Sequence, residues 1–376
     1  MIWAEFVPAT GTNSAQIVCK SGGMRLVTGV VQHYAWGDRS FIPRLLGVPG
    51  NDRPWAELWL GTHRGGPAKL EGDVSLRSVS GELPYLLKVL AAAEPLSLQT
   101  HPSRQQAERG FAREERDGPE VDASTRIYRD PYPKPEMLCA LTSFDALCGF
   151  RPVAESIDLL RRIAVDDLAD HLERHGLEST VRDLYTGKLE TAATIAVASA
   201  RAAEHASSRE TQLVADLAGR YPHDPSLAVT LLLNRVTLEP GEAIFLAPGN
   251  LHAYLSGAGI EIMGASDNVV RGGLSPKHID VSELLDVVGY DPLLNPVTVA
   301  VESEPGRWRY DTPDTPFRLW RYEVDGTLEH RSVGRELLIC TTGSTDCLEA
   351  GEAAYLADHE RLTLHGHATV FRVEER

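Results

Sequence analysis

Lysine is scarce in this chain: of 37 basic residues in 376, six are Lys, namely Lys20, Lys69, Lys88, Lys134, Lys188 and Lys277. A sequence that otherwise uses Arg keeps Lys where a compact, strongly hydrated ammonium is required. Cysteine is also sparse. Cys19, Cys139, Cys148, Cys340 and Cys347 are odd in number and show no C-x-x-C spacing, which argues against a disulfide framework or a thiolate zinc site. All five are expected to be reduced core residues. No stretch reaches the roughly 18 consecutive apolar residues of a membrane helix. The first residues lack a basic patch followed by an apolar run and a small-residue cleavage site, so a cytoplasmic chain is expected. Positive charge is in deficit too, with a formal net charge of −16. That argues against nucleic acid and anionic membrane as partners, because binding a phosphate backbone needs a large basic surface. A small anionic substrate remains compatible if positive charge is focused locally.

With 43% hydrophobic residues, the chain can bury a large core distributed over two or three domains. Residues 1–23 form a leader without clear period, expected to be an arm without structural role. From Met24, MRLVTGVVQHY opens a strand pattern, and to Arg151 short apolar runs such as AELWLGT, PYLLKVL and FDALCGF are broken by Gly, Pro and Asp, which predicts strands and loops. Residues 152–235 switch to apolar spacings of three and four with abundant Ala, a helical block. The period then returns to two over 236–295 and again over 296–376. The resulting fold class is mainly β with a helical subdomain. LEPGEAIFLAPGNLHAYL and LEAGEAAYLADHERLTL are faintly alike, pointing to two related cupin-like jelly-roll β-barrels, the second lacking the Pro-Gly-Asn and His of the first.

Three segments carry metal-binding side chains. In PLSLQTHP, strand alternation puts Ser97, Gln99 and His101 on one face and Leu96, Leu98 and Thr100 on the other. A buried polar face must meet water, a hydrogen-bond network or a metal; a solvated strand face is the plain alternative. In YPKPEM, two prolines bracket Lys134 and deliver Glu136 to the mouth of the apolar run MLCAL. Glu136 there is a ligand, a general base or a fully bonded structural carboxylate. In PGNLHAYL, His252 follows a glycine-containing turn. Taken together, two imidazoles, a carboxylate and an amide oxygen from Gln99, His101, Glu136 and His252 suit a borderline divalent ion, zinc by default. A fourth segment, EIMGASDNVVRGGLSPKHID, places Arg271 beside two glycines, with Lys277 six residues on.

YAWG (Tyr34 to Gly37), AELWLGTH (Ala56 to His63), LLKVLAAAEPLSLQTHP, KPEM, GNLHAYL and SDNVVRGGLSPK occur in that order over about 250 residues, and in them the chain resembles the type I mannose-6-phosphate isomerases. The resemblance implies one zinc ion per chain, held by Gln99, His101, Glu136 and His252. It implies Arg271 as an active-site residue, and Trp36, Ser97, Lys88, Lys134, Glu261 and Lys277 lining a sugar-phosphate pocket. The family commonly has Q-A-H-P-D and H-K-P-E where this chain has Thr100, Ser103 and Pro133, which touches substrate fit more than metal binding.

The reaction so implied interconverts mannose 6-phosphate and fructose 6-phosphate through a cis-enediol. Lys277, Ser97 and Lys88 would anchor the phosphate, and the general base is Glu261 or Lys134, with Glu261 preferred. A small hexose phosphate is the expected partner of a monomeric enzyme. Two competing readings are a non-catalytic sugar- or metal-binding cupin and a metal-dependent cupin dioxygenase. The clustered basic residues weigh against the first, and the amide ligand Gln99, poorly suited to redox iron, against the second.

Overall fold

The computed structural model describes residues 4–6, 23–201 and 208–376. Of the expected leader, Ala4–Phe6 is a strand paired with Val30–Gln32; the remainder up to residue 22 lies outside the described residues. The chain is mainly β and builds two antiparallel sheets. In the first, Val30–Gln32, Glu57–Gly61, Tyr85–Ala92, His252–Gly264, Glu136–Ala140, Glu242–Leu246 and Val297–Val299 lie side by side. Two branches leave it. Phe144–Phe150 pairs with both His252–Gly264 and Leu233–Leu238, and Leu98–Thr100 pairs with His252–Gly264 and Val270–Gly273.

The second sheet is centred on Phe317–Arg331, Arg361–Glu375 and Glu336–Thr345. It also takes in Arg25–Thr28, Lys69–Leu70 and Val74–Ser75. The run MRLVTGVVQHY, expected as one strand of the first body, therefore divides at Gly29. Its first half pairs in the second sheet and Val30–Gln32 in the first.

Alternation along the central strands assigns their two faces. Leu87, Val89, Met137, Ile260 and Ile262 pack in one core with Leu337, Ile339, Phe371 and Val373 of the second sheet. The opposite face carries Leu90, Leu138 and Tyr254, and with them, two residues along the same strands, Lys88 and Glu136. Every residue of Tyr85–Ala92 is buried, so a lysine in that strand must be matched by buried charge.

The helical block appears as Val153–Arg162, Asp166–Tyr185, Glu190–Arg201, Arg209–Arg220 and Ser226–Thr230. Its apolar stripes pack on Leu98, Leu147, Leu251 and Val270 of the first sheet. Outside that block, the short helices Phe41–Leu45, Leu76–Ser80 and Val281–Val287 and one long one, Arg104–Asp117, were not anticipated. Arg104–Asp117 begins at a capping box in which the Ser103 side chain accepts from Gln106 N and the Gln106 side chain accepts from Ser103 N. With only Ala107 and Gly110 buried, it lacks the apolar period by which helices are recognised.

The two similar segments are also alike in space. Gly241 and Gly351 both have φ +91, and Gly249 (φ +83) corresponds to His359 (φ +64). Glu242 and Glu352 each accept from the backbone N–H of the glutamate three residues before them. Along the same alignment His252 falls opposite Leu362. Cys139, Cys148 and Cys340 are buried free thiols as expected, whereas Cys347 is disulfide-bonded. The odd count excluded a complete disulfide framework without excluding one bond.

Candidate active site

His101, Glu136 and His252 converge, with one ligand atom from each all within 4.8 Å of one another. Three strands and a turn bring them together. Glu136 starts the strand Glu136–Ala140, next to Met263. His252 starts His252–Gly264 opposite Gln99, and His101 follows Leu98–Thr100 immediately. The extended run expected around Gln99 is only three residues long, yet its alternation holds: Leu98 and Thr100 are fully buried on one side, while Gln99 and His101 turn toward His252 and Glu136. The glycine turn ahead of His252 docks here, since Gly249 N donates to His101 O at 2.8 Å. At φ +83 a Cβ on Gly249 would crowd Gly289 N at 3.1 Å, which favours glycine at this position.

The hydrogen bonds around the two imidazoles fix their tautomers. His101 Nδ1 lies 2.8 Å from Asn268 O and His252 Nδ1 2.9 Å from Asn250 O. A carbonyl oxygen can only accept, so each Nδ1 carries the proton and each Nε2 keeps its lone pair. Those lone pairs face Glu136, with His101 Nε2 3.4 Å from Oε1 and His252 Nε2 3.5 Å from Oε2. Lone pairs facing a carboxylate repel unless a cation lies between them. In agreement, His101 Nε2 and Glu136 Oε2 are buried without a hydrogen bond. The Gln99 amide ends 3.5 Å from His252 Nε2, and rotating the amide by a half-turn presents its oxygen instead. The donor set therefore fits a metal ion of zinc type.

Protonation agrees with this reading. Burial pushes the His101 imidazole down to about 4, keeping it neutral. Burial would raise the Glu136 carboxyl, but the Lys134 ammonium, 2.8 Å away, holds it well below the usual carboxylate range.

A second charged group lies along the same face. Lys88 is 6% exposed; its ammonium is 2.9 Å from Glu261 and 3.3 Å from Glu57. It is also 5.5 Å from the Trp59 ring centroid, and Trp59 Nε1 donates to Glu57 at 2.6 Å. Register explains the row, since Trp59, Lys88 and Glu261 are direct partners on adjacent strands. Burial raises the Glu261 carboxyl above its ordinary value, Lys88 pulls it down, and Glu136 and Glu57 add to the rise. Beside this row, burial would raise the Asp267 carboxyl, but His63 at 3.1 Å, with Lys134 and Arg64, holds it at about 2.

Arg271 is the cross-strand partner of Gln99 on the side away from His252. Burial and the Arg129 guanidinium push its pKa down; burial, Arg271 and Arg129 do the same to Lys277. Among the described residues none of these three cations has a carboxylate within ion-pair distance, so together they form a positive patch suited to an anion.

The structure thus gathers the four expected metal-binding residues, puts Lys134 on Glu136, and sets Arg271 and Lys277 beside them. Lys88 belongs to the carboxylate row and is not among the charges acting on Arg271 or Lys277. Ser97 is half-buried just ahead of Leu98–Thr100. Trp36 stacks on Tyr34 at 5.7 Å and packs against the cluster holding Leu138 and Tyr254. Sequence reasoning missed Arg129, Glu57, Asp267 and Asn268. Glu57 and Trp59, two apart in AELWLGTH, could have been matched to the buried Lys88. Arg129 carried no signal, because a side-chain amide distant in sequence places its backbone: Asn268 Oδ1 accepts from Arg129 N at 2.7 Å.

A mainly β chain with a buried His, His, Glu, Gln donor set beside a cationic patch defines a metal-dependent protein acting on a small anion. Residues 24–153 match the family described as phosphomannose isomerase type I, catalytic domain. Mannose-6-phosphate isomerase of Escherichia coli (strain K12) is 34% identical, over 93% of this chain and 99% of that protein. The Homo sapiens enzyme of the same name is 32% identical over 81% of this chain and 82% of its own length. A solved mannose 6-phosphate isomerase in its zinc-bound holo form superposes with a TM-score of 0.86 at 32% identity, covering 94% of this chain and 100% of that one. The chain belongs to the type I mannose-6-phosphate isomerase family.

Proposed function

We propose that this chain is a zinc-dependent aldose–ketose isomerase interconverting D-mannose 6-phosphate and D-fructose 6-phosphate. The observation that carries the reading is the convergence of His101, His252 and Glu136, with His101 Nε2 and Glu136 Oε2 buried and unsatisfied, beside the cations Arg129, Arg271 and Lys277. One zinc would be held by Gln99, His101, Glu136 and His252, and when bound it supplies a Lewis acid able to polarise sugar oxygens.

The remaining chemistry belongs to the side chains. The phosphate is held by Arg271, Lys277 and Arg129, with Ser97 nearby, and this remote binding orients carbons 1 and 2. Glu261 removes the proton from carbon 2 of the open-chain aldose and returns it to carbon 1, while the hydroxyl hydrogen on the oxygen of carbon 2 is transferred to the oxygen of carbon 1. A carboxyl raised by burial is closer in basicity to such a task than an exposed one. Lys88 holds Glu261 in place, and Arg271 and Lys134 add positive charge where the enediolate develops. Trp36 forms a wall of the pocket.

The finer architecture follows the same reading. Residues 24–151 with 236–295 form a catalytic cupin-like jelly roll, 152–235 an inserted all-α domain and 296–376 a second cupin-like jelly roll, except that Arg25–Thr28, Lys69–Leu70 and Val74–Ser75 pair in the second sheet and Val297–Val299 in the first. The equal φ at Gly241 and Gly351 supports a common origin for the two. On this reading the enzyme is a cytoplasmic monomer without nucleic-acid or membrane partners, in keeping with its net charge of −16.

A coupled assay forming fructose 6-phosphate from mannose 6-phosphate, run with and without a chelator, tests the proposal. Turnover that a chelator abolishes and added zinc restores is the expected result. Zinc binding without turnover would indicate a binding protein instead.

A further inference from the structure

Residues 272–274, between Arg271 and Lys277, are each held from the helical block. Tyr185, the last residue of Asp166–Tyr185, donates its hydroxyl to Gly272 O at 2.5 Å. Ser226 fills the space beside Gly273, where a Cβ would lie 2.1 Å from its Oγ. Asp224 accepts from Leu274 N at 2.8 Å with one carboxylate oxygen and from Ser226 N at 2.9 Å with the other. Leu274 is 1% exposed and has φ +53, a left-handed conformation that a leucine keeps only when its surroundings enforce it. Gly273, at φ +146, is likewise in a region a side chain would disfavour.

The bend these contacts enforce turns the chain from the strand Val270–Gly273, where Arg271 is fixed opposite Gln99, toward Lys277. The backbone N–H of Lys277 donates to Ser275 Oγ at 3.1 Å, and its exposed ammonium has no carboxylate partner among the described residues. The geometry of residues 272–274 sets the direction in which the chain leaves Arg271 for Lys277.

We propose that Tyr185 and Asp224 are positioning residues of the phosphate subsite: the helical block latches Gly272 to Leu274 and so fixes the spacing between Arg271 and Lys277. The proposal rests on the reading that Arg129, Arg271 and Lys277 receive the substrate's phosphate. It gives the helical block a task in substrate affinity, acting through the backbone without touching substrate.

Two conservative variants test it. Tyr185→Phe removes one hydroxyl from a packed position, and Asp224→Asn leaves one acceptor oxygen where there were two. In each the KM for mannose 6-phosphate and the inhibition constant for inorganic phosphate are expected to rise by about 2- to 12-fold, the worth of one hydrogen bond. Zinc content measured on the purified protein should stay at the wild-type level. A lower melting temperature with both constants unchanged would overturn the proposal, leaving the latch a purely structural contact. Arg129→Ala and Lys277→Ala serve as the reference. If they weaken phosphate inhibition while Tyr185→Phe and Asp224→Asn do not, the latch alone fails. Should they leave phosphate inhibition unaltered, the phosphate reading falls and the latch with it.

Discussion

His101 donates its Nδ1–H to the carbonyl oxygen of Asn268 at 2.8 Å, across 167 residues of sequence. Asn268 is fully buried, and its side chain holds the loop that leads to Glu136: its Oδ1 accepts from Arg129 N and Asp130 N, and its Nδ2 donates to Asp130 O and Tyr132 O. One residue thus orients a ligand ring and anchors the approach to the ligand carboxylate. Replacing such an outer partner typically costs about 10- to 100-fold in metal affinity. Asn268→Ala is expected to lose zinc affinity in that range in competition with a chromogenic chelator. Wild-type affinity would mean that the ligands are held without this loop.

How much of this was legible beforehand depended on whether a residue acts through its own strand or through a distant partner. Gln99, His101, Glu136 and His252 sit at strand starts or beside turns, where alternation and Gly-Pro punctuation indicate direction, and the sequence singled out all four. The helical block showed its period in its apolar residues. Arg104–Asp117 is too polar for that signal, and only its capping box marked it. Arg129 and Asp267 gain their roles from Asn268 and His63, contacts made by folding between loops that no local pattern links. The split at Gly29, which sends neighbouring residues to different sheets, was invisible for the same reason.

The Lys88–Glu261 pair, 2.9 Å apart, makes the activity depend on pH in a defined direction. Glu261 must be ionised to act as base, and burial has already raised its carboxyl above the ordinary 4.5. Activity should therefore fall as pH drops through a value above 4.5, the proton occupying the base below that point. Because the Lys88 ammonium lowers this pKa, removing it raises the pKa further. In Lys88→Met the acid limb of kcat/KM should move to higher pH, measured in whatever fraction of the protein folds. An acid limb in the same place would rule out Glu261 as the base and leave Lys134 to take the role.

Arg129 offers the direct test of the cationic patch, since nothing in the sequence singled it out. A charge-assisted hydrogen bond contributes about 1.5–3 kcal/mol, or roughly 10- to 150-fold in affinity, and partial solvent exposure favours the lower end. Arg129→Ala should raise the KM for mannose 6-phosphate about tenfold while zinc content stays constant. The salt dependence of KM should flatten at the same time, as one cation fewer meets the phosphate. A variant with unchanged KM would show that the phosphate lies elsewhere.

The second sheet has charge buried in it as well, but of a different kind. Glu336 is fully buried, with Arg372 Nη1 at 2.5 Å and His330 Nε2 at 2.7 Å. The guanidinium stacks 5.0 Å from the Trp320 centroid and 5.4 Å from that of Tyr322. Here each carboxylate oxygen has a hydrogen-bonding partner, unlike Glu136 Oε2, and the position aligned with His252 is Leu362. The cluster therefore joins Phe317–Arg331, Glu336–Thr345 and Arg361–Glu375 and leaves no lone pair for a metal. Breaking a buried ion pair by removing one partner costs about 3–5 kcal/mol because the other charge is left unmatched. Glu336→Ala should lower the unfolding free energy by that amount, read from denaturant titration, whereas kcat/KM of the folded fraction and zinc content remain as in the wild type. Loss of zinc or of turnover at temperatures where the variant is fully folded would show that the second sheet shapes the active site directly.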